Sequence, residues 1–188
     1  MLRARLKHRA IALACALLVG APIAIGAAPA GAGEPVLDPF VVRAERERAA
    51  GPFHPVRGPA DYGDAEAAFG NARGRAHEGQ DIFAPAGTPL LAPAAGRVTE
   101  IGSDGGRGNW IAIYDPERGR SYIYLHLLEP AGVDAGERVE AGHQIGRLGC
   151  TGSCYGDHLH FEIRDGRGPY GSPIDPAQAL RRWDRKPR

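Results

Sequence analysis

The sequence predicts an all-β fold, an antiparallel β-sandwich or barrel-like core with long groove-forming loops, placed after an N-terminal signal segment. Three observations predict it. The 188 residues include 27 Gly and 16 Pro, a density of turn-formers that suits short strands and not a helical bundle. Segments such as Asn109–Tyr114 and Ser121–Leu127 are short and rich in β-branched and aromatic residues. Turn signals separate such segments about every eight to twelve residues, the spacing of sandwiches and barrels. No internal repeat is evident.

The first element is an address. Arg3, Arg5, Lys7 and Arg9 open the chain, no charge follows from Ala10 to Gly33, and Ile11–Val19 is strongly apolar. Ala28-Pro29-Ala30 and Ala30-Gly31-Ala32 then offer small residues for cleavage, so residues 1–32 read as a secretory signal peptide. An uncleaved anchor helix is the alternative, because the uncharged stretch is long enough; Pro22 and the Gly/Ala-rich second half weaken it. Cys15 lacks a Leu three residues before it, which argues against a lipoprotein signal. Cleavage removes four of the 23 basic residues and none of the 22 acidic ones, leaving a formal charge of −3. With so little positive charge, no nucleic-acid partner is expected. The mature product is expected as a monomer without stable membrane insertion, in a periplasm or outside the cell at the wall.

Residues 33–52 form a linker or short leader. Its charged run Glu45-Arg46-Glu47-Arg48 reads as a solvated segment. The β-core spans 53–178. Its strands are expected at Phe53–Gly58, Pro89–Ala92, Gly96–Ile101, Asn109–Tyr114, Ser121–Leu127, around Val139, at Ile145–Leu148 and at Leu159–Arg164. Ser103–Gly108 and Asp115–Gly119 are turns. Asp175–Trp183 suits a terminal helical turn, with Asp175 as cap and Pro176 in the first position. Residues 179–188 are a basic tail.

Six histidines remain after the signal, and three fall in two clusters. One is His77-Glu78-Gly79-Gln80-Asp81. The other is His158-Leu159-His160-Phe161-Glu162. On a strand, His158 and His160 project from one face while Leu159 points into packing. His77 and Asp81 would lie roughly 13 Å apart if fully extended, too far to share an ion. The chain must turn between them, and Gly79 supplies the freedom. Two imidazoles and a carboxylate are good zinc ligands, and a three-ligand set leaves a fourth position for water. By parity, His126 shares a face with Tyr124 and Tyr122. A histidine beside a metal-activated water can move its proton near neutral pH. The residues therefore offer three ligands to one Zn2+ and two acid–base groups.

Other residues carry weaker readings. Cys150 and Cys154 are an even pair in an exported chain and read as a disulfide, with two thiols or two metal ligands as alternatives. Trp110 and Tyr155 can line a groove, although Trp110 in an alternating strand suits core. Arg73 and Arg75 can meet a substrate carboxylate, although a solvated loop is the plainer reading. His143 in a turn and His54 before a proline are left outside the site.

The order and spacing of Phe69-Gly70, His77-Glu78-Gly79-Gln80-Asp81-Ile82, Ala84-Pro85-Ala86-Gly87-Thr88-Pro89, Tyr124-Leu125-His126-Leu127, Gly142 with Ile145-Gly146, Gly149 with Thr151-Gly152, and His158-Leu159-His160-Phe161-Glu162 resemble the lysostaphin/LytM-type zinc endopeptidases of bacterial cell walls. The resemblance runs from about Phe53 to Pro176. It implies that His77, Asp81 and His160 hold one zinc ion and that His158 and His126 flank the attacking water. It also implies that the substrate is a peptide cross-link of peptidoglycan. In that scheme His158 is the general base and His126 a hydrogen-bond donor to the developing oxyanion. Glu162 shares a strand face with His160 and can orient its imidazole; a solvent-facing polar residue is the alternative. Cys150 and Cys154 depart from the family, which has small polar residues there.

Two rivals remain on sequence. A non-catalytic relative would bind wall material or activate another hydrolase, but such relatives lose ligands and this chain keeps all of them. Ala92–Val98 suggests a biotinyl- or lipoyl-carrier hairpin. That chemistry needs a lysine in the turn, and the only lysine after the signal is Lys186.

Overall fold

Tyr122 and Tyr124 on one strand, and Leu159, Phe161 and Ile163 on its neighbour, recur at every second position. That period of two sorts each strand into a buried face and an outer face. The computed structural model describes residues 52–184. The signal segment expected over 1–32, the leader through residue 51 and the end of the tail at 185–188 lie outside the described residues. Among the described residues, no helix is long and apolar enough to cross a membrane.

The strands are β1 (Gln80–Phe83), β2 (Pro89–Leu91), β3 (Gly96–Asp104), β4 (Gly108–Asp115), β5 (Arg120–Leu127), β6 (Arg138–Val139), β7 (Gln144–Arg147), β8 (His158–Asp165) and β9 (Pro173–Ile174). One antiparallel sheet runs β1-β8-β5-β4-β3-β6, with β9 also paired to β8. β2 and β7 make a separate two-stranded ribbon. The main core lies where Val98, Ile111, Ile113, Tyr122, Tyr124, Leu159, Phe161 and Ile163 of the large sheet meet Leu90 and Ile145 of the ribbon. The Tyr124 hydroxyl donates to the Leu91 carbonyl at 2.8 Å and ties the two layers. A smaller apolar cluster of Trp110, Ala112, Ile123 and Leu125 covers part of the opposite face. The Arg107 guanidinium lies 3.9 Å over the buried Trp110 ring, a cation–π contact.

Two sequence expectations change. Phe53–Gly58 is not a strand: it makes one bridge, Val56 to Leu90. Pro55 has no N–H and Gly58 adopts a φ of 93°, so a regular ladder cannot propagate. The terminal turn is a full helix, α1 (Ala177–Asp184). Asp175 Oδ1 accepts the Ala177 N–H at 2.9 Å, as an N-cap does with Pro in the first helical position. Leu180 and Trp183 are buried against the sheet, and Trp183 meets Tyr122 and Phe161 edge-on. The packed core therefore continues past residue 178, into what the sequence suggested was tail.

Candidate metal centre

β8 builds the site. Leu159, Phe161 and Ile163 enter the core, which turns His158, His160 and Glu162 to the opposite face. β1 pairs beside it with Asp81 opposite His160 and Phe83 opposite His158, so the carboxylate and the imidazole share a face. His77 lies before β1, held by reciprocal backbone bonds with Gly70 of 3.0 and 2.7 Å. Gly79 between them is required for space and not for conformational freedom. A Cβ there would sit 2.6 Å from Phe161 O, 2.7 Å from His160 Nε2 and 3.0 Å from Glu162 Cγ.

Three donor atoms converge. His77 Nε2, Asp81 Oδ1 and His160 Nδ1 are separated by 3.1, 3.0 and 2.8 Å. Zinc bonds of about 2.0–2.2 Å place neighbouring ligand atoms roughly 3 Å apart. The remaining atoms of each residue are committed elsewhere. His77 Nδ1–H donates to the Ala68 carbonyl at 2.7 Å, leaving its Nε2 lone pair free. His160 Nε2–H donates to Glu162 Oε1 at 3.0 Å, leaving its Nδ1 lone pair free. Asp81 Oδ2 accepts from Arg73 Nη2 and from the Tyr155 hydroxyl, each at 2.7 Å, which turns Oδ1 to the two imidazoles. Such partners fix the tautomer and orientation of metal-binding groups, so the donor set fits one divalent ion.

A chain of charges backs this set. Glu162 Oε2 accepts from Arg164 Nε at 2.5 Å, and Arg164 Nη2 reaches Glu78 Oε2 at 2.5 Å. The sequence left Glu162 open between an orienting partner and a solvent-facing group; it is buried and bonded to His160. Burial works to raise the Asp81 carboxyl, but hydrogen bonds from His160, His77 and Arg73 outweigh it and hold the group well below the usual carboxylate range. Burial likewise opposes ionisation of Glu162, and His160 and Arg164 override it. Burial also works against a charged His160. The carboxylates of Asp81 and Glu162 reverse that and raise its pKa above 6.5.

His126 and His158 stand beside this triangle, their ring centres 4.9 Å apart. His158 Nε2 lies 3.8 Å from Asp81 Oδ1, and its Nδ1–H donates to the Gly156 carbonyl at 2.7 Å. His126 Nδ1–H donates to the Thr151 carbonyl at 2.8 Å. Burial lowers the His126 pKa below 6.5. The parity reading for His126 is overturned. Tyr124 and Tyr122 face the core, and His126 does not. Asn109 and Ile111 on β4 pair with Leu127 and Tyr124 on β5, so β5 holds one extra residue. His126 takes a φ of 65° there, the only non-glycine residue with positive φ among the described residues. This bulge rotates its side chain onto the face of His160, as bulges re-aim side chains beside active sites.

The sequence reading missed Arg73, which it gave to a solvated loop, and left Tyr155 as a groove residue only. Tyr155 is 63% exposed yet its hydroxyl reaches a buried carboxylate. Neither had a local pattern to betray it, because Arg73 and Asp81 meet only through the loop before β1. Trp110 is core, as its strand alternation suggested. His143 is exposed. His54 is buried, with Nε2 2.9 Å from the Tyr62 hydroxyl, and takes no part in the site. Cys150 and Cys154 form a disulfide with Cα atoms 5.4 Å apart.

The contacts at Gly79 give a direct test. Gly79→Ala is expected to push the His160 imidazole away from Asp81 and to weaken any divalent-metal binding at this donor set about 10- to 100-fold, the scale for disturbing a ligand's support. Titration against a chromophoric chelator measures this.

Residues 75–176 match the sequence profile of Peptidase family M23. The chain is 42% identical over 91 residues to the peptidoglycan DD-endopeptidase ShyC of Vibrio cholerae, a match covering 47% of this chain and 20% of that protein. The chain thus spans about a fifth of that relative's length. The solved catalytic domain of lysostaphin from Staphylococcus simulans superposes with a TM-score of 0.56 and 28% identity, over 73% of this chain and 97% of that one. A zinc-containing peptidase from Vibrio cholerae superposes with a TM-score of 0.50 and 26% identity, over 67% of this chain and 38% of that one.

Proposed function

The chain belongs to peptidase family M23, a family of metal-dependent peptidases, and on that premise we propose that it is an exported, zinc-dependent endopeptidase hydrolysing peptide cross-links of bacterial peptidoglycan. The observation that carries this reading is the mutual approach of His77 Nε2, Asp81 Oδ1 and His160 Nδ1 to 2.8–3.1 Å, with every other polar atom of the three occupied. The name of ShyC supports the substrate class, and the V. cholerae structure supports zinc. Action as a monomer in a periplasm or at the cell wall belongs to the same proposal.

Zinc held by these three residues would supply a Lewis acid that acidifies water and polarises the scissile carbonyl. The protein's own part is proton handling and orientation. His158 and His126 both commit Nδ1–H to a carbonyl, so Nε2 is the free edge of each. A neutral Nε2 accepts a proton, and after accepting one it donates. His158, whose Nε2 faces the ligand triangle, takes the proton of the attacking water. His126 completes the pair. Its lowered pKa keeps it neutral near pH 7, with Nε2 ready to accept a proton and, only once it holds one, to donate to the charge that grows on the carbonyl oxygen. Arg73 and Tyr155 hold the far oxygen of Asp81. Glu162, clamped by Arg164, holds His160.

The decisive experiment measures zinc content together with release of new amino groups from purified sacculi. One zinc per chain with amine release is expected; no zinc and no release would favour the wall-binding alternative.

The raised pKa of His160 sets a pH dependence. In the metal-free protein its Nδ1 holds a proton at pH values below that pKa, and zinc must displace it. Zinc affinity should therefore rise about tenfold per pH unit up to the His160 pKa, then flatten for this group. Glu162→Gln removes one of the charges that raise it, so the flattening should move to lower pH. Chelator competition at a series of pH values checks both.

A further inference from the structure

The loop from Gly149 to Asp157 touches the site three times. The Thr151 carbonyl holds His126 Nδ1–H at 2.8 Å, the Gly156 carbonyl holds His158 Nδ1–H at 2.7 Å, and the Tyr155 hydroxyl reaches Asp81 at 2.7 Å. Gly149, Gly152 and Gly156 lie within it, and glycine loses the most backbone freedom on ordering. Something must hold such a loop.

The two halves are held differently. Thr151 Oγ1 donates to the Leu127 carbonyl at 2.7 Å and accepts the Asn109 N–H at 2.9 Å. Ser153 N–H donates to Gly106 O at 2.9 Å, and Gly152 packs directly on Gly108. The first half is thus fastened to the β3–β4 hairpin. In the second half, among the described residues, the backbone N–H of Cys154 bonds only back into the loop, to Gly152 O at 3.1 Å. The covalent tie between the halves is the Cys150–Cys154 bridge. Its Cys154 sulfur lies 2.9 Å from the Gly156 carbonyl oxygen and 3.7 Å from His158 Nδ1, against the very group that orients that imidazole. Cys150 is exposed, so a redox partner can reach the bridge.

We propose that the Cys150–Cys154 bridge is a positioning device that fixes His158, and not His126, in its Nδ1–H tautomer, so that oxidation of the two thiols completes the acid–base pair, while the three metal ligands keep their bonds to Arg73, the Ala68 carbonyl and Glu162 outside the loop whether or not the bridge is formed. The inference rests on the hydrolase reading above. In the step, the two thiols lose two protons and two electrons as their S–S bond forms. A disulfide-bearing oxidant accepts them, its own S–S bond breaks, and it leaves as two thiols. An exported chain would then become fully active only where thiols are oxidised, which is also where wall lies.

The test compares the zinc-loaded wild type with Cys150→Ser/Cys154→Ser. Long-range nitrogen–proton NMR of the histidine rings reads the tautomers directly. The variant should keep one zinc per chain and the Nδ1–H form of His126, while His158 becomes a mixture. Turnover on cross-linked muropeptides should fall about 10- to 100-fold with KM little changed, the scale for a misplaced catalytic group. A dithiol should move the wild type to the same state reversibly and leave the variant unaffected. The proposal is overturned if His158 keeps its tautomer in the variant and in the reduced wild type, or if both histidines change together. If the wild type hydrolyses nothing, the hydrolase reading falls, yet the tautomers still decide what the bridge does.

Discussion

His160→Ala is expected to abolish zinc binding and bring hydrolysis to background, while the fold survives. The residue contributes one of three donor atoms, 2.8 Å from Asp81 Oδ1 and 3.0 Å from His77 Nε2. Two remaining ligands do not make a zinc site of the three-ligand catalytic type. The choice among the three ligands matters, because their removal leaves different debts in the structure. Without Asp81, the guanidinium of Arg73 and the Tyr155 hydroxyl lose a buried partner. Without His160, Asp81 keeps Arg73, Tyr155 and His77, and Glu162 keeps Arg164 at 2.5 Å. No buried charge is stranded, which is the situation that makes truncation of a buried pair severe. Metal analysis, a thermal melt and the sacculus assay on one preparation separate the outcomes. A folded His160→Ala protein that retains one tightly held zinc would break the assignment of ligands.

Sequence carried the fold class through short-range rules, and strand parity brought both His158 and His160 to one face, but the proposal of His160 as the third ligand came from the family resemblance and not from parity. Strand alternation placed His158, His160 and Glu162 on one side and Leu159 and Phe161 on the other, and the core confirms that sorting. The ribbon of β2 and β7, the proline-broken start and the helix that adds Trp183 to the core depend on contacts between distant segments, which a period of two does not encode. His126 shows the limit best. Its strand pattern is regular in sequence, yet an extra residue between Tyr124 and Leu127 reverses its face. The register of β4 against β5 decides that, and nothing within Tyr122–Leu127 announces it. Gly79 is the complementary case. The glycine was legible as necessary, but its reason is the close approach of β8 and not freedom to turn.

The bulge also determines what should happen when His126 is removed. His126→Ala is expected to retain one zinc and lose turnover about 10²–10³-fold, the usual loss for one donor aimed at developing charge. None of its atoms belongs to the ligand triangle, and its ring centre is 6.3 Å from that of His160. Its backbone N–H donates to Arg107 O at 2.9 Å, a bond that substitution leaves in place. The φ of 65° costs any residue with a Cβ roughly 1–2 kcal/mol, and His126 already bears that cost, so alanine adds little to it. His126→Asn is the informative companion, because asparagine tolerates positive φ and its amide still donates a hydrogen bond without taking up a proton. If His126 acts chiefly as a donor, the Asn variant should recover part of the lost turnover; if it acts chiefly as a proton acceptor, Asn should be as poor as Ala. In the wild type, the pKa lowered by burial keeps this imidazole neutral to a lower pH than a free one. The acid limb of kcat/KM assigned to it should therefore lie below 6.5 and vanish in both variants. Loss of zinc from His126→Ala would instead make this residue a ligand, and the division between metal-binding and proton-moving histidines would have to be redrawn.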